Sequence, residues 1–193
     1  VVASGLQNAW GLAFIDGSRL LVTERPGRMR VVAADGTLGA PLAGLPKVDA
    51  QGQGGLLDVI TDRDFARNRT VYFCFSEPGA GGNSTALASA RLSDDATALE
   101  SVKVVFSQKP KFASKAHFGC RIVEGKDHTL FLTLGDRFAR MDDAQTPDNH
   151  HGKVVRLRKD GSAPPDNPFT TRPGALPEIW SYGHRNLQGA ALG

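Results

Sequence analysis

The chain has 193 residues, of which 40% are hydrophobic and 22% charged, and its formal net charge is +3. This composition belongs to a folded globular protein and not to a disordered one. No run approaches the ~20 apolar residues of a membrane-spanning helix, and the small net charge does not argue for nucleic acid as a partner. Because Gly and Pro break helices and mark turns, the 22 Gly and 11 Pro favour many short strands.

The first predicted elements are three short strands, at residues 10–14, 19–23 and 29–32. An Asp-Gly or Pro-Gly pair follows each of them, and such pairs between runs rich in β-forming residues indicate turns. We therefore expect residues 10–38 to form an antiparallel meander.

The same pattern then recurs along the chain. Further strands are predicted at 54–60, 70–76, 86–92, 102–106, 117–123, 129–134 and 153–157, and an opening strand of the same kind begins once more at His184. Recurrence of a three- or four-stranded antiparallel unit is typical of a β-propeller. The predicted fold is all-β, a β-propeller domain over residues 1–193. Its blades lie near 10–50, 51–110 and 115–165, and a fourth begins near 178.

A β-sandwich is the alternative fold, since it also contains many short strands. The small residues in each opening strand favour the propeller, because its innermost strands crowd around an axis where Gly and Ala fit. Propellers need about four to eight blades to close, and three blades leave open sheet edges. We therefore expect the chain to be part of a longer protein or to be completed by another chain. Residues 1–193 alone are expected to self-associate.

Two cysteines, Cys74 and Cys120, form neither a disulfide framework nor a metal cluster. They are interpreted as two small buried apolar residues, and a bridge between them is left open. No signal peptide is visible, since Val1 begins directly in ordinary sequence. We expect one of two explanations: a signal peptide was removed, or the chain is intracellular.

Four polar residues near the start of the later blades are the candidate site. Gln53 comes before the second blade, His117 opens the third, and Arg185 and Asn186 stand at the start of the next opening strand. In a propeller these edges point to one end of the central channel, so we expect the four side chains to line one funnel. Side chains that converge on rigid strands are the usual layout of a binding or catalytic site.

The residue types suit redox chemistry on a hydroxyl group. An imidazole takes a proton near neutral pH, a guanidinium matches carboxylate and quinone oxygens, and amides orient hydroxyls. Each residue also has a structural alternative. His117 could be a turn residue, Gln53 could satisfy loop carbonyls, and Arg185 could belong to a structural ion pair.

Other polar residues are interpreted as structural. Asp136 ends a strand and holds a loop, and Asp142-Asp143 lies in a solvated loop without the spacing of a calcium-binding EF-hand. His150 and His151 would point to opposite sides of a strand and so would not share a metal. No dinucleotide-binding, P-loop or HExxH motif occurs. We therefore assign no metal ligand in this sequence.

Taken together, five segments resemble the glucose/sorbosone dehydrogenase family, whose members use pyrroloquinoline quinone (PQQ). They are residues 20–32, 52–65, 115–123, 152–168 and 178–189. They occur in the family's order, and the short loops between blades are closest to its aldose sugar dehydrogenase branch. The resemblance implies a six-bladed propeller with PQQ in the funnel, of which this chain is the N-terminal half.

The resemblance also implies roles for the candidate residues. His117 would be the general base that takes the proton of an aldose's anomeric hydroxyl, while hydride passes to the quinone and a lactone forms. Arg185 and Asn186 would contact PQQ, and Gln53 would lie near cofactor and sugar. Part of the family has an Asp just before the catalytic His. Here that position is Ala116, so an orienting carboxylate is missing from that place.

The family further implies Ca²⁺, with ligands expected beyond Gly193, an external electron acceptor, and a periplasmic or secreted location. With half of the pocket present, we expect this fragment alone to be inactive and to bind PQQ weakly. One alternative function is a non-catalytic β-propeller binding module. The other, a metal-dependent lactonase or hydrolase, needs a carboxylate-rich rim, whereas the predicted rim carries amide, imidazole and guanidinium groups.

Overall fold

Strands dominate the computed structural model, which describes residues Val1–Gly193. They form three four-stranded antiparallel sheets, and in each sheet the strands pair in the order in which they occur along the chain. The helical elements are a one-turn α-helix, Phe65–Asn68, and a short 3-10 turn, Met141–Gln145. Neither is long or apolar enough to cross a bilayer. Three successive up-and-down sheets confirm the predicted all-β fold of propeller blades.

Each sheet is one blade, numbered here from its inner strand outwards. The first blade consists of β1 (Ala9–Phe14), β2 (Leu20–Glu24), β3 (Arg28–Val32) and β4 (Leu38–Pro41). The second consists of β5 (Leu56–Thr61), β6 (Thr70–Gly79), β7 (Gly82–Leu92) and β8 (Leu99–Ser107). The third consists of β9 (Gly119–Glu124), β10 (Leu130–Leu134), β11 (Lys153–Leu157) and β12 (Ile179–Tyr182).

The inner strands of neighbouring blades lie side by side, β1 against β5 and β5 against β9. Gly11 shows how close the first two come, because a Cβ built there would lie 2.9 Å from the carbonyl oxygen of Leu57. The hydroxyl of Thr23 on β2 also donates to that carbonyl. This close approach is the physical reason for the small residues that open the blades.

Two hydrophobic clusters hold the three blades together, one in each space between neighbouring blades. Strand β6 contributes to both, since successive side chains of a strand point to opposite faces. Phe73 and Phe75 belong to the cluster shared with the first blade, whereas Tyr72 and Cys74 belong to the cluster shared with the third. The apolar run at residues 71–75 is therefore a central strand that is buried on both faces.

A disulfide joins Cys74 on β6 to Cys120 on β9. The two residues are 46 positions apart and both are fully buried. The sequence favoured two unbonded buried cysteines and left a bridge open; the structure contains the bridge. It links the second blade to the third next to the start of the inner strand.

Two outer strands differ from the sequence prediction. The prediction ended the third blade at residue 165 and began a fourth near 178. Instead Ile179–Tyr182 pairs with β11, with Ser181 opposite Val154, and completes the third sheet. Leu38–Pro41 completes the first sheet in the same way. Outer strands of this kind are short and held through backbone pairing, so they carry little apolar signal. A fourth blade after residue 183 stays a prediction.

Both end blades expose apolar side chains on the face that has no neighbouring blade. On β1, Leu12 and Phe14 are 59% and 64% exposed, while the alternate residue Ala13 is buried against the second blade. At the other end Trp180 is 42% exposed and packs edge-on against Phe131. The row of three blades therefore ends in an uncovered apolar sheet face on each side.

Candidate functional site

His117 lies just before β9, in a backbone conformation that a side chain rarely adopts. Its φ is +52°, and its backbone N–H donates to Oε1 of Gln53 at 2.9 Å. Its side chain is 13% exposed. A non-glycine residue in the left-handed region is strained and persists only where the surrounding structure holds it, which is common at functional sites.

Gly135, directly after β10, allows the backbone to pass behind His117. A Cβ at this position would lie 2.0 Å from the carbonyl oxygen of His117 and 3.1 Å from Oδ1 of Asn186. No side chain fits there without displacing both groups. Gly135 therefore sets how closely the end of β10 approaches the start of β9.

Asp136 is the carboxylate partner of the imidazole. Its Oδ1 lies 2.7 Å from Nδ1 of His117, and the residue is 1% exposed. The same oxygen accepts the backbone N–H of Phe138 at 2.8 Å, so the predicted loop-holding role is present as well. A carboxylate at this distance holds the proton on Nδ1 and leaves Nε2 free to accept one.

The sequence interpretation missed the pairing of Asp136 with His117. It looked for a carboxylate only directly before the histidine, where Ala116 stands. The structure instead supplies one from the segment that follows the neighbouring strand β10. Leu134 pairs with Gly119 across the sheet, and this register brings the residues after β10 next to those before β9. A charged residue directly after the strand that pairs with β9 was the available signal.

Arg185 and Asn186 approach the same place after β12. Oδ1 of Asn186 accepts the backbone N–H of Gly119 at 3.0 Å, and the carbonyl of Arg185 accepts the N–H of Asp136 at 2.8 Å. The Arg185 guanidinium reaches to 3.8 Å from Oδ2 of Asp136, and its side chain stays 56% exposed. It is held loosely, with most of its donors available to a ligand.

Gln53 joins the second blade to this group. Its backbone N–H donates to the carbonyl of Lys115 at 2.8 Å, and its side-chain oxygen takes the N–H of His117. The structure thus brings Gln53, His117 and Asn186 together, with Arg185 on the Asp136 side. The predicted residues therefore lie near one another at one end of the inner strands, but they do not all line one cavity: Gln53 and Asn186 line the cleft described next, and Arg185 lines a separate depression.

An open cleft of about 420 Å³ lies beside this group, with mostly polar walls. It is lined by Asn8, Ala9, Trp10, Arg25, Gln53, Gly119, Asn186 and Gln188. Arg185 and Asp136 line a second, adjoining depression of about 310 Å³ near the turn at residues 141–145. The side-chain amides and the Arg25 guanidinium of the first cleft can donate to hydroxyl, carbonyl and carboxylate oxygens.

Trp10 is held in the cleft wall by an ion pair whose carboxylate, Asp58, is buried and whose guanidinium, Arg121, is partly exposed. The Arg121 guanidinium stacks over its ring at 4.3 Å and donates to Oδ1 of Asp58 at 2.9 Å. Burial raises the pKa of the Asp58 carboxyl, and hydrogen bonds from Ile122 and Arg121 only partly oppose this. Nothing in the sequence analysis singled out these residues, because each is unremarkable until the first three blades are placed side by side.

The adjacent histidines lie outside the cleft and have different partners. His151 is buried between Oδ2 of Asp143, at 2.8 Å, and the carbonyl of Pro110, at 3.1 Å. Burial lowers its pKa, against the hydrogen bond to Asp143. His150 instead packs edge-on against Phe106. No three His, Cys, Asp or Glu side chains are grouped so that they could hold a metal ion.

Known proteins resemble this chain over nearly its whole length. A sequence model of the family described as Glucose / Sorbosone dehydrogenase matches residues 6–193. The aldose sugar dehydrogenase of Escherichia coli is 45% identical over 100% of this chain and 52% of its own length. Quinoprotein glucose dehydrogenase B of Acinetobacter calcoaceticus is 29% identical over 100% of this chain and 45% of its own.

Solved structures agree with the fold. The soluble aldose sugar dehydrogenase of Escherichia coli, in its apo form, superposes with a TM-score of 0.91 at 43% identity, covering 96% of this chain and 54% of that one. The PQQ-bound aldose sugar dehydrogenase of Streptomyces coelicolor gives 0.80 at 33% identity, covering 96% and 53%. The chain spans about half the length of the curated relatives it matches. It belongs to the glucose/sorbosone dehydrogenase family.

Proposed function

We propose that the protein carrying this chain oxidises aldose sugars at the anomeric carbon to lactones, with PQQ as the electron acceptor. The observation that carries the proposal is the pair formed by His117 and Asp136, set among donors that suit a quinone and a sugar. The relatives support the reaction class, since they are named as sugar dehydrogenases and one structure is titled as PQQ-bound.

The residues of the cleft and of the second depression fit PQQ, a flat quinone that carries carboxylate groups. The exposed guanidinium of Arg185 offers the fork of donors that such oxygens accept. Asn186 and Gln53 line a cleft that is open enough for a flat ring. PQQ, when bound, would supply a two-electron acceptor for the hydride of the anomeric carbon.

His117 is the base in this proposal. Asp136 holds the Nδ1 proton, so the lone pair of Nε2 is directed away from the carboxylate and can accept the proton of the anomeric hydroxyl. The imidazolium that forms is stabilised by the buried carboxylate 2.7 Å away. Gln53 fixes the backbone of His117, and Arg185 would stabilise negative charge on bound oxygens.

Calcium, an external electron acceptor and a periplasmic or secreted location complete the proposal. Calcium is proposed for the longer protein, with ligands outside these residues. The buried disulfide between Cys74 and Cys120 supports an oxidising compartment, where such bonds persist.

The test is aldose-dependent dye reduction by the full-length protein after addition of PQQ and Ca²⁺. We expect His117→Ala to lower the rate by about 10²-fold or more, because the proton acceptor is lost. His128→Ala is the matched control, since His128 also pairs with a carboxylate but is exposed in the turn between β9 and β10. A wild-type protein without activity, or an active His117→Ala variant, would contradict the proposal. Binding of PQQ or sugar without turnover would point to the non-catalytic module.

A further inference from the structure

Arg137 is a fully buried arginine without a carboxylate in hydrogen-bonding contact. Its side chain is among the largest that are fully buried, and its Nε and Nη1 atoms have no hydrogen-bond partner. Nη2 donates to Oδ1 of Asn83 and, at 3.0 Å, to the carbonyl of Ser114. A buried cation with unused donors is costly, and such a group in a native fold requires an explanation.

Apart from Asn83 on β7, the side-chain partners of Arg137 belong to the segment that carries the proposed base. This segment, residues 114–118, is called the His117 loop below. Arg137 meets it at both ends and in the middle. At Ser114, the guanidinium of Arg137 donates to the backbone carbonyl, and the carbonyl of Arg137 accepts the hydroxyl at 2.9 Å. The backbone N–H of Arg137 donates to the carbonyl of His117 at 3.3 Å. The guanidinium stacks 3.6 Å from the ring centre of Phe118.

The loop and the residues that face it are strained. His117, Arg137 and Phe138 have φ values of +52°, +61° and +66°, although none of them is glycine. Such conformations persist only when neighbouring contacts determine them. Arg137 supplies these contacts from a position directly next to Asp136, the carboxylate that holds the imidazole.

We propose that Arg137 is a positioning residue, which holds the His117 loop so that the imidazole stays on Asp136. The catalytic consequence rests on the proposed function, whereas the effect on the His117–Asp136 contact does not. The role requires a flat cation that stacks on Phe118 while its Nη2 donates to both Asn83 and Ser114. The ammonium of a lysine is a point charge and has no plane that could stack in this way.

The charge of Arg137 is retained at neutral pH. Burial lowers its pKa to about 10, against the attraction of Asp49 and Asp136. Asp49 does not contact the guanidinium but accepts the side-chain N–H of Asn83 at 2.8 Å, so it orients the amide that Arg137 binds. The cation therefore belongs to a network that reaches from the second blade to the His117 loop.

The experiment compares three variants of the full-length protein: Arg137→Met, Arg137→Lys and Arg156→Met. Arg156 is the matched control, because it is also buried, stacks over Trp180 at 5.3 Å and binds Asp127, but lies in the outer part of the third blade. Proton NMR detects the Nδ1 proton that His117 shares with Asp136 as a downfield signal. We expect this signal to be lost in both Arg137 variants and kept in Arg156→Met.

Kinetics provides the second readout. Per bound cofactor, we expect Arg137→Met to lower kcat by about 10- to 100-fold with KM changed less than about 3-fold, because a displaced base affects the chemical step. Arg156→Met should stay within about 3-fold of wild type in both constants. Arg137→Lys should not restore kcat. A variant Arg137→Met that keeps both the downfield signal and kcat overturns the proposal.

Two further outcomes remain decisive. If Arg137→Met does not fold, Phe118→Leu removes only the stacking partner and keeps an apolar side chain; loss of the downfield signal then supports the role, and retention of an unchanged signal overturns it. If wild-type protein does not oxidise aldoses, the proposed function fails, while the NMR comparison still decides whether Arg137 holds the His117–Asp136 contact.

Discussion

At the scale of single residues, the site depends on which ring nitrogen of His117 carries the proton. Asp136 receives that proton's hydrogen bond while it also accepts the N–H of Phe138, so the carboxylate fixes both the ring and the loop behind it. Its own backbone N–H is held by the carbonyl of Arg185. The imidazole, the carboxylate and the proposed cofactor contact are therefore connected through direct hydrogen bonds.

Replacing Asp136 with asparagine tests this connection. The change keeps the size of the side chain but removes its charge, so the Nδ1 tautomer and the imidazolium both lose their stabilisation. We expect kcat of the full-length protein to fall by about 10²-fold or more, with a smaller change in KM. Dye-reduction kinetics measures this. Glu124→Gln, which alters the carboxylate beside His128, is the control; an Asp136→Asn variant with wild-type kcat would contradict the role.

The positions of the residues that open the inner strands could be predicted from the sequence, whereas the side chains that these residues contact could not. Gln53, His117 and Asn186 could be predicted because strand order alone brings the starts of the inner strands together. The partnership of Asp136 depends on the register of β9 against β10, and that of Arg137 depends on a loop conformation. Neither is encoded in a local pattern, so both appear only in the folded chain.

At the scale of elements, ion pairs between neighbouring blades supplement the apolar clusters. Lys159, in the turn after β11, bonds Asp62 of the second blade at 2.6 Å and Glu124 of β9 at 2.8 Å. The pair with Asp62 joins residues 97 positions apart and could not be inferred from spacing. The central strands were predicted well because their apolar runs are buried on two faces, whereas β4 and β12 were missed because backbone pairing holds them.

The Lys159 contact predicts a specific dependence of stability on pH. Burial raises the pKa of Asp62, but hydrogen bonds from Lys159, Asn68 and Tyr72, among others, outweigh this and lower it to about 2. The pKa is then below its unfolded value of 3.8, so this group's stabilisation is present above about pH 4 and is lost as pH falls towards about 2.

We expect Lys159→Met to lower the free energy of unfolding at pH 7 by about 1–3 kcal/mol, because Asp62 stays buried without its cation. The difference from wild type should shrink as the pH falls below about 4, where Asp62 becomes protonated in the unfolded chain. Chemical denaturation of the full-length protein across this range measures both effects. Lys103→Met, at an exposed position of β8, is the control. A loss that is equal at every pH would show that packing, not charge, is responsible.

At the scale of the whole molecule, three blades account for about half the length of the relatives. Each blade stabilises its neighbour through a shared apolar cluster, and only the second blade has a neighbour on both sides. The outer faces of the first and third blades, with Leu12, Phe14 and Trp180, are the surfaces that further blades would cover. The cleft is likewise bordered by residues of all three blades and is open on its remaining side.

Residues 1–193 produced alone should therefore differ from the full-length protein in assembly and in PQQ binding. We expect the isolated chain to self-associate through its apolar end faces, and sedimentation velocity at several concentrations measures this. The double variant Phe14→Ser, Trp180→Ser should shift it towards monomer, whereas a matched change at exposed polar positions, Lys103→Ser with Arg172→Ser, should not.

The isolated chain should bind PQQ at least about 10-fold more weakly than the full-length protein, because donors from the uncovered side are absent. A compact monomer that binds PQQ tightly would mean that three blades build the whole pocket.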